Sequence, residues 1–207
     1  MKKNGVNISV SEADSLTYTA ALLKYNDNDC AAAINGFGNY LSRYANGSYA
    51  IEANYLRSEC YQRNKDWQHA LEGYAYVNGK GLNKYFEKAT LEAARIQYFE
   101  LKDYTAAKKY FESLRSNAVN QDNILEALRG LVRCYYLLQE YNTANDAAKD
   151  LLTKKGISTD DKSVAFLVLG KSQQIANDCA AAIASFKSAA AINKTAWGAE
   201  ARYELAA

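Results

Sequence analysis

Apolar positions recur along the chain in blocks that each begin just after an acidic residue. Aligned on that acid, the blocks read DCAAAINGF from Asp29, DWQHALEGY from Asp66, DYTAAKKYF from Asp103, EYNTANDAA from Glu140 and DCAAAIASF from Asp178, spaced 37, 37, 37 and 38 residues apart. Counting from the residue after the acid (Cys30, Trp67, Tyr104, Tyr141, Cys179), the third position is always alanine: Ala33, Ala70, Ala107, Ala144 and Ala182. The seventh is Phe37, Tyr74, Phe111, Ala148 or Phe186, and the tenth is Tyr40, Val77, Leu114, Leu151 or Ala189. Spacing of 0, 3, 7 and 10 places these residues on one face of a helix. A second helix precedes each block, with Tyr61, Tyr98 and Tyr135 six residues before the anchor in the middle three units. Small or apolar pairs such as Ala20-Ala21, Leu131-Val132 and Leu169-Gly170 lie nine to ten before it.

Each unit therefore reads as a helical hairpin. The constant alanine lets two helix backbones approach, and the large residue one turn later fills the wedge beside it. Asn46-Gly47, Asn78-Gly79 and Gly156 are expected to end helices between hairpins, because glycine and asparagine tolerate the left-handed conformation at a helix C-terminus. The reading gives a flexible segment over residues 1–10. Hairpins follow at about 11–47, 48–82, 83–118, 119–157 and 158–194, with the first helix of a sixth over 195–207. That last helix repeats the Ala165–Gly170 pattern at an offset of 36, in Ala201–Ala206. Its missing partner helix suggests a piece of a longer repeat protein; the alternative is a solitary helix acting as the terminal cap.

A helix, an acidic-aromatic turn, an alanine three residues on and an aromatic four after that resemble the tetratricopeptide repeat (TPR). Residues 11–207 carry the resemblance. The period exceeds the usual 34, and YLSRYANGSYAIEANYLRSECYQRNKDWQHALEGY resembles the longer-spaced repeats of bacterial envelope proteins, namely the outer-membrane-assembly lipoprotein and the Tol-associated periplasmic coordinator. Where their pattern has tyrosine-proline, this chain has Tyr44-Ala45, and the glycine of the first helix survives as Gly170. The resemblance implies an all-α fold, an α-α superhelix of antiparallel hairpins acting as a non-enzymatic scaffold. It further implies a periplasmic or cell-envelope location, although no signal peptide stands in this chain.

In that family the first helices of successive hairpins line a groove that holds a peptide or protein. Carried onto this sequence, the groove stripe is Tyr55, Glu59, Arg63, Glu92, Phe99, Arg129, Arg133, Tyr136, Leu167 and Lys171. Tyr, Phe and Arg dominate binding energetics because they combine large rigid area with directional polar groups. The alternative is that the aromatics pack between hairpins and the charges are solvated. On the groove reading, charge reversal at Arg129 and Arg133 is expected to weaken partner binding. A second function reading is a structural spacer or self-association segment whose uncapped ends stack on neighbours.

Composition and charge narrow the chemistry. The chain has no proline, and its 25 Lys and Arg against 23 Asp and Glu leave only +2, without the basic clustering that nucleic acid requires. The longest apolar run, residues 164–170, is too short to insert in a bilayer. Four cysteines without CxxC spacing and a single His69 exclude a zinc site, and no other cofactor is expected. Cys30 and Cys179 replace aromatic anchors and read as small hydrophobes. Cys60 and Cys134 share another repeat position two units apart. Cys30 and Cys60, in adjacent units, are the one pair that could meet, but a bond is not expected because few cysteine pairs satisfy disulfide geometry. Gly73–Lys80 fails the phosphate-loop spacing, Gly36-Phe37-Gly38 lacks a third glycine, and His69 reads as a surface residue, so no catalytic residue is assigned. Asn46 and Asn193 head formal glycosylation sequons, which matter only in a secretory eukaryotic cell.

Overall fold

A computed structural model of the chain describes residues 10–192 and 195–206. The segment 1–9 and the sequon residue Asn193 lie outside that range, as do Lys194 and Ala207. Eleven α-helices and no strand are found among the described residues: α1 (Val10–Asn26), α2 (Cys30–Arg43), α3 (Ala50–Arg63), α4 (Trp67–Gly79), α5 (Phe86–Arg95), α6 (Tyr104–Asn117), α7 (Gln121–Leu137), α8 (Tyr141–Thr153), α9 (Thr159–Ile175), α10 (Cys179–Ala190) and α11 (Ala196–Ala206). A five-residue π-helical segment, Ile96–Glu100, follows α5.

The acidic residue of the repeat is the start of each second helix. Asp29, Asp66, Asp103 and Asp178 cap α2, α4, α6 and α10, each accepting from the backbone N–H three residues on at 2.9–3.3 Å. Glu140, one carbon longer, makes no such bond at α8, as expected from the poor geometry of glutamate at this position. The residue before each cap is left-handed: Asn28, Lys65, Lys102, Gln139 and Asn177 have φ of 56–60°. In four turns the capping residue's N–H reaches back five residues, as from Asp66 to the Tyr61 carbonyl (2.9 Å) and from Asp178 to that of Gln173 (2.9 Å). The preceding N–H reaches back three, which together make the Schellman arrangement. In the third turn Asp103 reaches back six, to the Gln97 carbonyl. The π segment has inserted one residue, so Gln97 rather than Tyr98 occupies the place that Tyr61 and Tyr135 hold.

With the turn fixed, the repeated face turns inward. Ala33, Ala70, Ala107 and Ala144 are fully buried and Ala182 nearly so; the aromatic and aliphatic residues seven and ten positions after the anchor are buried in every unit. Close approach is literal at Gly73, where an added Cβ would stand 1.9 Å from Ser58 Oγ on α3, and at Gly170, where it would meet the Phe186 ring of α10 at 2.3 Å.

The chain divides into two compact units, residues 1–96 and 97–207, a division the even spacing of the repeats does not reveal. Within the first, α1–α2 and α3–α4 form hairpins and α5 packs on α4. Within the second, α6 packs on α7, α7–α8 and α9–α10 form hairpins, and α11 packs on α10. In both units the second helix of one hairpin lies against the first helix of the next.

Two expectations are corrected. Asn46-Gly47 and Asn78-Gly79 do not supply left-handed glycines; Gly81 (φ 72°) and Gly156 (φ 74°) do. Gly47 is required for space instead, since a Cβ there would lie 2.5 Å from Tyr40 Oη and 2.9 Å from Asp14 Oδ1. Cys30 and Cys60 do pair: they form a disulfide with Cα atoms 5.1 Å apart. Cys30 opens α2 and Cys60 lies on the face of α3 that α2 covers, so the packing of successive hairpins, invisible in the spacing alone, brings the two sulfurs together. Cys134 is a buried free thiol and Cys179 an exposed one.

Two measurements test these features. Replacing Gln139 with glycine relieves a left-handed side-chain residue and is expected to raise stability by about 0.5–1 kcal/mol in urea unfolding; a lower midpoint would show that the turn is not strained there. Cys30→Ser with Cys60→Ser removes a loop constraint of roughly 3 kcal/mol. Hydrogen exchange is expected to accelerate across α1–α4 and to stay unchanged across α7–α10.

Candidate protein-binding face

The stripe assigned to partner binding is occupied largely by bonds between successive hairpins. In the first unit, Tyr25 donates to Glu59 (2.6 Å) and so does Tyr55 (2.9 Å), so one α3 carboxylate accepts from both α1 and its own helix. Burial, reinforced by Glu59, pushes the Tyr25 phenol up to about 12, and burial raises Tyr55 further. Arg63 lies 4.9 Å over the Tyr25 ring and donates to its hydroxyl at 3.0 Å. Gln62 donates to Glu92 at 2.6 Å, and Glu92 also pairs with Arg95 at 3.0 Å. Tyr55 stacks on Tyr85, whose hydroxyl donates to Glu52.

In the second unit Arg129 and Arg133 converge on Asp161. Arg129 Nε donates to its Oδ2 at 2.8 Å and Arg133 Nη2 to its Oδ1 at 2.7 Å, while Arg133 also reaches Asp160 at 3.1 Å. Asp161 is only 1% exposed and completes a capping box with Ser158 at the start of α9. Burial alone would raise its carboxyl; the Ser158 hydrogen bonds and the Arg133 and Arg129 guanidiniums outweigh that, and hold it below the usual carboxylate range. Tyr136 donates to Glu200 on α11 and meets the Trp197 ring edge-on, and Lys171 pairs with Glu204 at 2.7 Å.

The ten assigned residues thus separate. Leu167 is fully buried and Tyr55 and Tyr136 nearly so; these three pack between helices, and Leu167 has no surface to offer a partner. Glu59, Glu92, Arg129, Arg133 and Lys171 are half-buried within the bonds just described. Arg63 is exposed, and Phe99, in the π segment, is 54% exposed. Tyr25 and Glu52 in the first unit, and Asp160, Asp161 and Glu200 in the second, take part in these bonds and were not assigned from sequence. Ser158-x-x-Asp161 is a readable capping-box pattern; the others carry no sequence signal, because their partners lie on another hairpin.

Other candidate chemistry is dispersed. His69 is exposed, stacked on Tyr61 and 2.7 Å from Asp66, the cap of its own helix. Burial pushes the Cys134 thiol up to about 12, so it is neutral at ordinary pH. Among the described residues no group of His, Cys, Asp and Glu could hold a metal ion, and no helix is long and apolar enough to cross a membrane.

The architecture is that of the tetratricopeptide-repeat proteins, an all-α superhelix of antiparallel hairpins. Within that class the chain is similar to YrrB, "a TPR protein with an unusual peptide-binding site", with a TM-score of 0.65 and 15% identity over 90% of each chain. It is also similar to BtubC (BKLC) from P. vanneervenii, with a TM-score of 0.51 and 18% identity over 88% of this chain and 80% of that one. No known family's sequence pattern matches the chain, and no curated protein matches it in sequence.

The Arg129–Arg133–Asp161 cluster changes what the double charge reversal would measure. Breaking a buried ion pair from one side costs roughly 3–5 kcal/mol, so glutamates at both arginines are expected to unfold the second unit, and lost binding would report on folding. The Asp161 carboxyl, depressed in the folded chain, stabilises fully above its unfolded value near 4, and that contribution is lost as pH falls through the lower folded value. Acid titration followed by Trp197 fluorescence in a Trp67→Phe background is expected to show this loss below about pH 4. Asp161→Asn is expected to be less stable at neutral pH and to flatten the acid limb; an unchanged limb would remove Asp161 from the account.

Proposed function

We propose that the chain is a non-catalytic scaffold that holds a protein or peptide partner along the face made by the first helices of its hairpins. The observation that carries this reading is the pre-ordered Tyr25–Glu59–Tyr55–Arg63 cluster, beside which Arg63 stands exposed. A partner meeting polar groups already fixed by one another loses little entropy in ordering them. The peptide-binding site named for YrrB supports the reading by analogy of fold. The dispersed chemistry supports a non-catalytic role, since the only histidine is exposed, bonded to Asp66 and stacked on Tyr61, and among the described residues no nucleophile converges on it.

We further propose a cell-envelope setting. The Cys30–Cys60 disulfide supports it, because such bonds persist in oxidising compartments and are rare in the cytosol, and the periplasmic proteins that the repeats resemble point the same way.

The test places a photo-crosslinking amino acid at Arg63 or Phe99 and, as controls, at the exposed Glu72 or Lys187 on second helices, in the full chain in its native cell. A partner captured from positions 63 and 99 and absent from positions 72 and 187 is expected. Equal capture from both sets would remove the face assignment.

A further inference from the structure

The Cys30–Cys60 disulfide lies where the binding face meets the turn of the first hairpin. Cys30 opens α2 directly after the left-handed Asn28 and the cap Asp29, and is half-buried. Cys60, on α3, is 0% exposed. Trp67, Tyr104 and Tyr141, which open the second helices of other hairpins, are half-buried as well, so access to this position belongs to the turn, whichever hairpin carries it. A reagent from solvent therefore meets the Cys30 sulfur and not that of Cys60.

Arg63 ties that sulfur to the face. It follows Cys60 by three residues on α3, and its Nη1 stands 3.9 Å from Cys30 Sγ and 3.4 Å from Asn28 Oδ1, while Nη2 donates to the Tyr25 hydroxyl at 3.0 Å. The acids of this network are engaged elsewhere: Asp29 accepts from the Ala32 N–H at 3.0 Å, and Glu59 accepts from Tyr25 and Tyr55. Among the described residues Arg63 forms no ion pair. In the disulfide the Cys30 sulfur is uncharged, and Arg63 keeps its charge for a partner. As a free cysteine, Cys30 would stand at a helix N-terminus beside a guanidinium, two settings that favour thiolate over thiol. Cys60 has the opposite setting. Its counterpart Cys134, also seven residues before its anchor, is a buried free thiol pushed up to about 12, and it shows that this repeat position holds an unbonded thiol.

We propose that the Cys30–Cys60 bond is a redox switch of the binding face: a dithiol opens it at Cys30, and the thiolate released there takes the Arg63 guanidinium away from the partner. The consequence for binding rests on the face proposed above; the chemistry at the sulfurs does not. A thiolate of the dithiol attacks Cys30 Sγ and forms a mixed disulfide, and Cys60 leaves with the electron pair and is protonated. The second sulfur of the dithiol then attacks the first, which closes the dithiol's own disulfide and releases Cys30 as a thiolate. The dithiol loses two electrons and the cysteine pair gains them; of the two protons the dithiol gives up, one stays on Cys60 and the other goes to solvent. Stabilising the thiolate stabilises the reduced pair, so the bond opens more readily when a dithiol arrives and persists in an oxidising compartment.

The full chain carrying Cys179→Ser is equilibrated across ratios of reduced to oxidised dithiothreitol, and free thiols are counted by alkylation and mass spectrometry. Arg63→Gln is expected to need about threefold more dithiol for half reduction, and Arg63→Lys to restore most of the difference. If Arg63 merely held α3 against the turn, its loss would loosen the junction and let the bond open at lower dithiol; that result, or no shift, overturns the proposal. Binding is read by photo-crosslinking from Asn26, the exposed last residue of α1, in Cys60→Ser and in Cys30→Ser with Cys60→Ser, at matched helicity. Both lack the bond, and only the first keeps a sulfur beside Arg63. Capture about threefold weaker in Cys60→Ser than in the double variant is expected; equal capture overturns the switch. No capture from either variant, nor from positions 63 and 99 of the unaltered chain, overturns the face and the switch together, and a dithiol shift that survives shows that the face failed and not the sulfur chemistry.

Discussion

The constraint on which the molecule depends is the turn inside each hairpin. One residue goes left-handed and the next starts the second helix, capping it through its side chain in every turn but that of Glu140, so that donors and acceptors which both helix ends would otherwise leave unpaired are satisfied. This fixes the rotation of the second helix about its axis. Only in that rotation do the constant alanine and the residues seven and ten positions after the anchor point at the first helix. A left-handed lysine or glutamine is kept at three of five turns despite its steric cost, because a different conformation there would turn the buried face of α4, α6 or α8 toward water.

The third turn shows how the same constraint absorbs an irregularity. The π segment adds one residue before Asp103, yet Asp103 still caps α6 and Lys102 is still left-handed. The extra residue is taken up inside the turn: the Asp103 N–H reaches back six residues instead of five, to the Gln97 carbonyl, at the same 2.9 Å. π-Helical insertions of this kind occur often at functional positions, and here the insertion carries Phe99, one of the two most exposed residues of the assigned stripe.

Between hairpins the fold relies on a different chemistry at four junctions: a disulfide between α2 and α3, a Gln62–Glu92 bond between α3 and α5, the Arg129–Arg133–Asp161 cluster between α7 and α9, and Lys171–Glu204 between α9 and α11. The residues that looked most like partner contacts, tyrosines and arginines on the first helices, largely make these joins. Their types are the ones that dominate interfaces, and a junction between two hairpins is an interface within one chain. The part of the stripe not taken up by these joins is consequently smaller than the ten residues and is flanked by side chains already bonded to one another.

Period, helix faces and the turns inside hairpins follow from the sequence by itself, because each rests on contacts within about a dozen residues, where spacing of 0, 3, 7 and 10 has one geometric meaning. The acid before each block was legible as a marker and, in hindsight, as a cap. What only the tertiary structure decided lies between repeats: that Cys30 meets Cys60, that Arg129 and Arg133 are neutralised by Asp161, that Leu167 is buried, and that the array divides at Ile96. Those partners stand 30 or more residues apart in most cases, and periodicity tells which way a side chain points without telling which neighbour stands opposite.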